Sequence, residues 1–291
     1  MATTITTAEI GDYYTQTWHQ YRQVWSDESS YALHYGFWSE DTRSHAESLL
    51  EANRRLLLGV YPTPGARVLD AGCGVAGTAM WLARNFEVTV DGITVSDSQI
   101  GVASDLIAAA GLADKVTVER RDFIDTGYPD GRYDLAIAQE SMCHAPDKAR
   151  FLAEMARVLK PGGRIVVADG FRTSRPLPPD GERRLSDWAT CWAVPDLITA
   201  AEFGRYATAA GLVDVECRDA TTNVMRSSRR MRKLAIAKLI VEAPTLIAHP
   251  GRRQTHATRN VIGGFRQARA LRRGDWIYCF ASAVKPGGGT T

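Results

Sequence analysis

The chain has 291 residues, 45% of them hydrophobic and 23% charged, with a formal net charge of +2. That length suits one large α/β domain with elaborations, or a domain plus a cap, and the near-neutral balance gives no electrostatic case for nucleic acid as the main partner. Five scattered cysteines without a C-x-x-C pair argue against a disulfide framework or a metal site and point to a reducing cytoplasm. The opening MATTITTAEI has neither the basic nor the apolar region of a signal peptide, and no run of roughly 18 apolar residues occurs, so no membrane span is expected.

Residues 8–26 are expected to form an amphipathic helix, because Ile10, Tyr14, Trp18, Tyr21 and Trp25 recur on one face. Core packing explains most of such a stripe. Tyr31, Tyr35, Phe37 and Trp38 follow at once. So many aromatics ahead of the first core strand suggest a lid, and the helix offers a surface for a second copy of the chain. The next helix, 44–60, opens on a capping box of Ser44 and Glu47, presents Leu49, Leu50, Leu56, Leu57 and Val60, and ends before Pro62 and Pro64.

From there strands and helices alternate: strand 66–71, helix 76–85, strand 87–94, helix 97–110, strands 115–121 and 133–139, helix 147–159, strand 164–169. This order predicts an α/β fold with a doubly wound, mostly parallel, seven-stranded Rossmann-like sheet. Residues 171–181, with Pro176, Pro178 and Pro179, read as a stiff linker. The stretch 185–197 carries Trp188 and Trp192, and 199–210 reads as a helix with a Thr199–Glu202 capping box, ended by Gly211. Strands 212–219 and 276–284 close the sheet. The roughly fifty residues between them are too many for a turn, and helical runs near 227–241 and 256–271 make them a cap. The chain thus divides into a helical lid (1–62), a core (63–222), an inserted cap (223–274), and a last strand with its tail (275–291). The cap arginines (Arg226, Arg229, Arg230, Arg232, Arg252, Arg253, Arg266, Arg269, Arg272, Arg273) read as a solvated face, with an anionic group or another subunit as the alternative.

The chemistry gathers at the strand ends. Gly72, Gly74 and Gly77 fall as G-x-G-x-x-G between a strand and a helix, which lets backbone N–H groups crowd a ligand at the helix N-terminus. Dinucleotide enzymes share that pattern. Asp70, two residues before the first glycine, would repel a pyrophosphate and suit an ammonium-bearing ligand. In an open α/β sheet the crevice lies at the carboxyl ends of the strands. It would therefore also receive Thr94 and Gln99, then Asp122 and Phe123, then Gln139, Glu140 and His144, and finally Asp169.

The run Val68–Gly77 resembles motif I of the class I S-adenosylmethionine (SAM) methyltransferases. The stretch Gly92-Ile93-Thr94-Val95-Ser96-Asp97-Ser98-Gln99 resembles the G-I-T-x-S-x-x-Q signature of the sterol, tocopherol and cyclopropane-type members. Glu140-Ser141-Met142-Cys143-His144-Ala145-Pro146-Asp147 resembles the E-A-x-x-H-A-P-D segment of the sterol C-methyltransferases and the E-S-x-x-H of sugar O-methyltransferases. Leu159-Lys160-Pro161-Gly162-Gly163 also matches. The resemblance implies SAM held by Asp70, Gly72, Gly74, Thr94, Gln99 and Gln139, with Asp122 accepting from the adenine amine beside Phe123. Tyr21 and Tyr35 would stand by the sulfonium, whose charge aromatic faces attract. Asp91 departs from the neutral residue usual in the family, as if a strand-edge charge, and Ser96 suits a helix cap. His144, Glu140 and Asp169 would be catalytic, His144 and Asp169 as a base pair or Glu140 as the group that orients His144 or a lid residue. Trp188, Trp192 and Tyr14 would meet a largely apolar natural product. The sterol-type segment tilts toward carbon methylation of a prenyl-like double bond, with cyclisation as an allied outcome. O-methylation by His144 and Asp169, a non-catalytic SAM-binding partner subunit, and a NAD-linked dehydrogenase stay open.

Overall fold

A computed structural model of the chain describes residues 5–24, 30–57, 59 and 61–287. Trp25 and Val60, expected to end the first two helices, lie outside them. The chain order is α1 (Thr7–Val24), α2 (His45–Leu56), β1 (Arg67–Ala71), α3 (Gly77–Asn85), β2 (Thr89–Thr94), α4 (Asp97–Ala109), β3 (Val116–Arg120), β4 (Tyr133–Gln139), α5 (Lys148–Val158), β5 (Leu159–Arg172), α6 (Pro179–Ala189), α7 (Ala200–Ala209), β6 (Val213–Asp219), α8 (Thr221–Ala248), α9 (His256–Arg272) and β7 (Trp276–Val284). The sheet has seven strands in the order β3-β2-β1-β4-β5-β7-β6, with only β7 antiparallel to its neighbours.

The apolar runs of β1 and β4 sit at the centre, with Val68, Leu69, Ala136, Ile137 and Ala138 fully buried. Burial on both faces is what their near-continuous hydrophobicity requires. The chain order reverses between β1 and β4, so the crevice opens at the carboxyl ends of these two strands. Both capping boxes form: the Ser44 and Thr199 hydroxyls accept from the N–H groups of Glu47 and Glu202, whose carboxylates reach back. Ser96 stands at the start of α4, but its hydroxyl bonds Ser98 and Thr15 rather than capping the helix.

Residues 171–181 are not one linker. Phe171 and Arg172 extend β5 against Ile277 and Trp276, and Pro179 opens α6. Proline suits a first helical turn because its missing N–H would have no partner there anyway. Asp91 is not a strand-edge charge either. It is buried and accepts from Tyr133 Oη (2.7 Å), Arg67 Nε (2.9 Å), Arg132 Nη2 (2.9 Å) and Thr117 Oγ1 (3.1 Å), so one carboxylate ties β1, β2, β3 and β4 together.

α1 crosses the mouth of the crevice. Thr7 Oγ1 donates to Asp122 Oδ2 (3.0 Å) at its start, and two turns on Tyr13 Oη donates to Asn260 Oδ1 (2.7 Å) of α9. Residues 30–44 run beneath as an extended strap: Tyr35 packs on Trp276 and Tyr278, and Phe37 on Phe280. The strand alternation of Trp276, Tyr278 and Phe280 turns all three toward that strap. α8 and α9 form the roof between β6 and β7, with α6 packed against α9. Of the ten cap arginines all but Arg232 are exposed. Arg226 lies over the Trp38 ring, and Arg266 donates to the Asp187 carbonyl. No described helix is long and apolar enough to cross a membrane.

Candidate active site

Two adjoining cavities lie under α1. The larger, about 780 Å³, is lined by Asp70, Gly72, Gly74, Thr94, Gln99, Phe123 and Gln139 from the strand ends and by Tyr14 and residues 31–34 from above. The second, about 660 Å³, is walled by Tyr13, Tyr21, Tyr35, Trp188, Trp192, Trp276 and Tyr278, with Asp169 at its base. Tyr14, Leu33, His34, Glu140 and His144 line both and form the partition.

The first cavity is built by close approach of backbone. Gly72 adopts φ +95°, and a Cβ there would lie 2.3 Å from the Ser141 Cβ; at Gly77 it would lie 2.5 Å from the Ser30 carbonyl. No side chain fits either position, which explains the glycines better than backbone freedom alone. Thr94 Oγ1 donates to Gln99 Oε1 (2.7 Å), and Thr78 Oγ1 donates to Gln139 Oε1 (2.8 Å). These bonds fix both amides. The buried Gln139 Nε2 and Asp70 Oδ2 find no hydrogen-bond partner among the described residues. Burial alone pushes the Asp70 carboxyl up to about 7. A buried acceptor and a buried donor, each unmet and lining one cavity, suit an amino-acid group, whose ammonium Asp70 would hold and whose carboxylate Gln139 and the α3 N-terminus would hold. A pyrophosphate would set anion against anion. The residues therefore fit SAM and not a dinucleotide.

His144 is buried beyond β4, with ring nitrogens bonded in opposite senses. Nδ1 stands 3.0 Å from the Ala193 carbonyl, which can only accept, so Nδ1 carries the proton. Nε2 is then the bare nitrogen and accepts from Tyr14 Oη at 2.8 Å. Burial holds the ring neutral, with its pKa lowered to about 4. Glu140 adopts φ +53°, and its Oε1 accepts from the Tyr35 N–H (2.6 Å) and Tyr278 Oη (2.9 Å). It anchors the strap and β7 and is not hydrogen-bonded to His144; burial pushes its carboxyl up to about 8. Asp169 is not bonded to His144 either. Its oxygens accept from the N–H groups of Cys143 (2.8 Å) and Gly170 (2.7 Å), and burial raises it to about 6. The expected His144–Asp169 pair is thus two separate groups facing one cavity.

Other expectations are relocated. Asp122 does not line the first cavity, because its carboxylate is turned to the Ile124 N–H and to Thr7 of α1. Tyr21 and Tyr35 line the second cavity, not the first, since the helix period and the Glu140 anchor carry them past the partition. Trp188 and Trp192 meet there edge to face, at 5.5 Å between centroids. Sequence reasoning missed Tyr13, His34, Asn260 and the Trp276–Tyr278 wall. The period-two aromatics of β7 carried a signal for the last; nothing marked Asn260, a polar residue in a basic helix.

Residues 69–167 match the methyltransferase-domain family model. Among relatives, methyltransferase GfsG of Streptomyces halstedii is 41% identical over 165 residues, which are 55% of this chain and 57% of that protein. An O-methyltransferase of Pyrenophora dematioidea is 34% identical over 64% of this chain and 70% of its own length. In GfsG the match therefore spans little more than half of the relative. Among solved structures, the [4+2]-cyclase SpnF superposes with a TM-score of 0.77 and 25% identity over 97% of this chain and 98% of that one. The Asp70 cavity and the matched strands agree with these likenesses, and the chain belongs to the class I SAM-dependent methyltransferases.

Proposed function

We propose that the protein methylates a hydroxyl oxygen of a small, largely apolar molecule, with His144 as general base. The observation that carries this reading is the tautomer: a neutral imidazole whose bare Nε2 stands on the partition between the two cavities. SAM, when bound, supplies an electrophilic methyl group. An oxygen nucleophile must lose its proton as it attacks, and a base placed at that boundary meets the need. The acceptor hydroxyl would replace Tyr14 as donor to Nε2, and the proton would pass to that nitrogen. The resulting imidazolium keeps its Nδ1–H on Ala193. Asp169, whose carboxyl is raised only to about 6, faces the same cavity as that cation, whereas Glu140, pushed up to about 8, is largely neutral there. The aromatic walls exclude water and set the preference for an apolar acceptor.

Carbon methylation is the second reading, favoured by the rings of Tyr13, Tyr14, Tyr21, Tyr35, Trp188, Trp192, Trp276 and Tyr278 around the acceptor cavity. Ring faces stabilise a carbocation left by alkene attack. The two readings separate when purified protein is incubated with SAM carrying a labelled methyl and a panel of phenols, alcohols and prenyl alkenes. Label recovered as a methyl ether supports the first. Label recovered on carbon, with hydroxyl compounds untouched, overturns it.

A further inference from the structure

A third cavity, of about 580 Å³, lies on the far side of the acceptor cavity, between α1, α8 and α9. Its walls include Met231, Leu234, Ala235, Val261 and Gly264, with Lys238 at one side. Tyr21, Trp192 and Met231 line both it and the acceptor cavity, so these three side chains form the wall that the two share.

The separating wall is built, not incidental. Asn260 Oδ1 accepts from Tyr13 Oη (2.7 Å) and Tyr21 Oη (3.3 Å), its Nδ2 donates to Gln20 Oε1 (2.9 Å), and its carbonyl accepts from Trp192 Nε1 (3.1 Å). One residue of α9 thus holds both Tyr21 and Trp192 in that wall. Gly263 lets Trp192 lie flat on that helix, since a Cβ there would stand 2.3 Å from Trp192 Nε1. The polar atoms of Asn260 and Gln20 are consumed by this frame. Lys238 is not. Its ammonium reaches Glu242 at 3.4 Å, one contact for three donors, and its side chain is about a third exposed.

We infer that the acceptor is an elongated molecule whose far part passes between Tyr21 and Trp192 and lies in this outer chamber, with an oxygen function at its end facing Lys238. This rests on the hydroxyl-methylation reading only for the group at the near end. Apolar walls around a single charged donor suit a mostly hydrocarbon body with one polar terminus.

The test uses the full-length protein loaded with S-adenosylhomocysteine and a ladder of para-alkylphenols from phenol to para-octylphenol, with binding read by calorimetry. Affinity is expected to rise by about fourfold per methylene along the ladder as chain is buried. Ala235→Trp, which narrows the outer chamber, should flatten the rise at the longer members, with its melting point confirming the fold. Should that variant not fold, the half-buried Lys238→Met gives the same decision: it should lose the wild-type preference for a para-(hydroxyoctyl)phenol over para-octylphenol. Affinity that stops rising after the shortest chains, or a wild-type chain-length and end-group preference retained in the variants, overturns the inference. Binding is scored apart from methyl transfer, so long phenols that bind but are never methylated sink the hydroxyl reading and leave the outer chamber standing.

Discussion

Tyr14 Oη and His144 Nε2 meet at 2.8 Å across 130 positions of sequence, joining the lid helix to the turn after β4. The contact closes α1 over the partition between the cavities and occupies the nitrogen that a substrate hydroxyl would use. Replacing His144 by alanine is expected to lower kcat by about 10²–10⁴-fold, the usual contribution of a general base. SAM binding, measured by calorimetry, should change by no more than about twofold, because His144 borders the cofactor cavity without being its charged anchor. Tyr14→Phe keeps the ring and loses the hydroxyl, and should cost much less in kcat. Equal losses in the two variants would argue against His144 as the base.

Asp70 predicts a pH dependence of cofactor affinity. Its carboxyl is raised to about 7 in the free protein by burial, and an ammonium beside it favours the ionised form. Binding should then release a proton from Asp70 below that pH. The Kd for SAM is expected to rise by up to about tenfold per unit as pH falls from 7 toward 5. Titrations in buffers of different ionisation enthalpy report the released proton directly. Asp70→Asn should weaken SAM by roughly 10- to 100-fold, the worth of a charge-assisted hydrogen bond, and should abolish the pH slope.

Asp91 makes the opposite kind of prediction. Burial pushes its carboxyl up, but hydrogen bonds from Tyr133 and Arg132 and the Arg67 charge outweigh that and hold it below the ordinary carboxylate value. A depressed folded pKa contributes stability that is present above the unfolded pKa and lost as pH falls through the folded one. Asp91→Ala should therefore destabilise at neutral pH by roughly 2–4 kcal/mol, leaving two arginines and a buried tyrosine hydroxyl without their acceptor. The difference from wild type should shrink below about pH 4. Chemical denaturation across that range measures it.

Gly72→Ala tests the turn itself. The added Cβ meets Ser141 at 2.3 Å on a residue already at positive φ, so both strain and clash oppose it. A loss of roughly 1–3 kcal/mol in stability is expected. SAM affinity should fall with it, and pairing the change with Ser141→Gly should recover part of both, because the clash is with that side chain. No recovery in the double variant would assign the cost to backbone strain alone.

The fold and the cofactor were legible in the chain. Strand and helix periods, two capping boxes, and an acid set two residues before a glycine turn are local patterns, and local steric and hydrogen-bonding rules suffice to interpret them. The length of β5 and the start of α6 were misread because prolines near 176–179 suggest a break, whereas pairing with β7 and the tolerance for proline at a helix start govern that segment. Site geometry needed the folded chain. Whether Asp169 touches His144 depends on contacts some tens of positions apart, and whether Glu140 holds a base or a strap, and which cavity Tyr21 and Tyr35 face, on contacts between residues more than a hundred positions apart. The sequence by itself determined a nucleotide-type sheet with an ammonium-seeking acid at its crevice. Only tertiary packing decided that a lid tyrosine meets His144, that Asn260 holds Tyr21 and Trp192 in one wall, and that a third chamber lies beyond it, because these rest on how α1, α8 and α9 pack over the strand ends and not on any spacing along the chain.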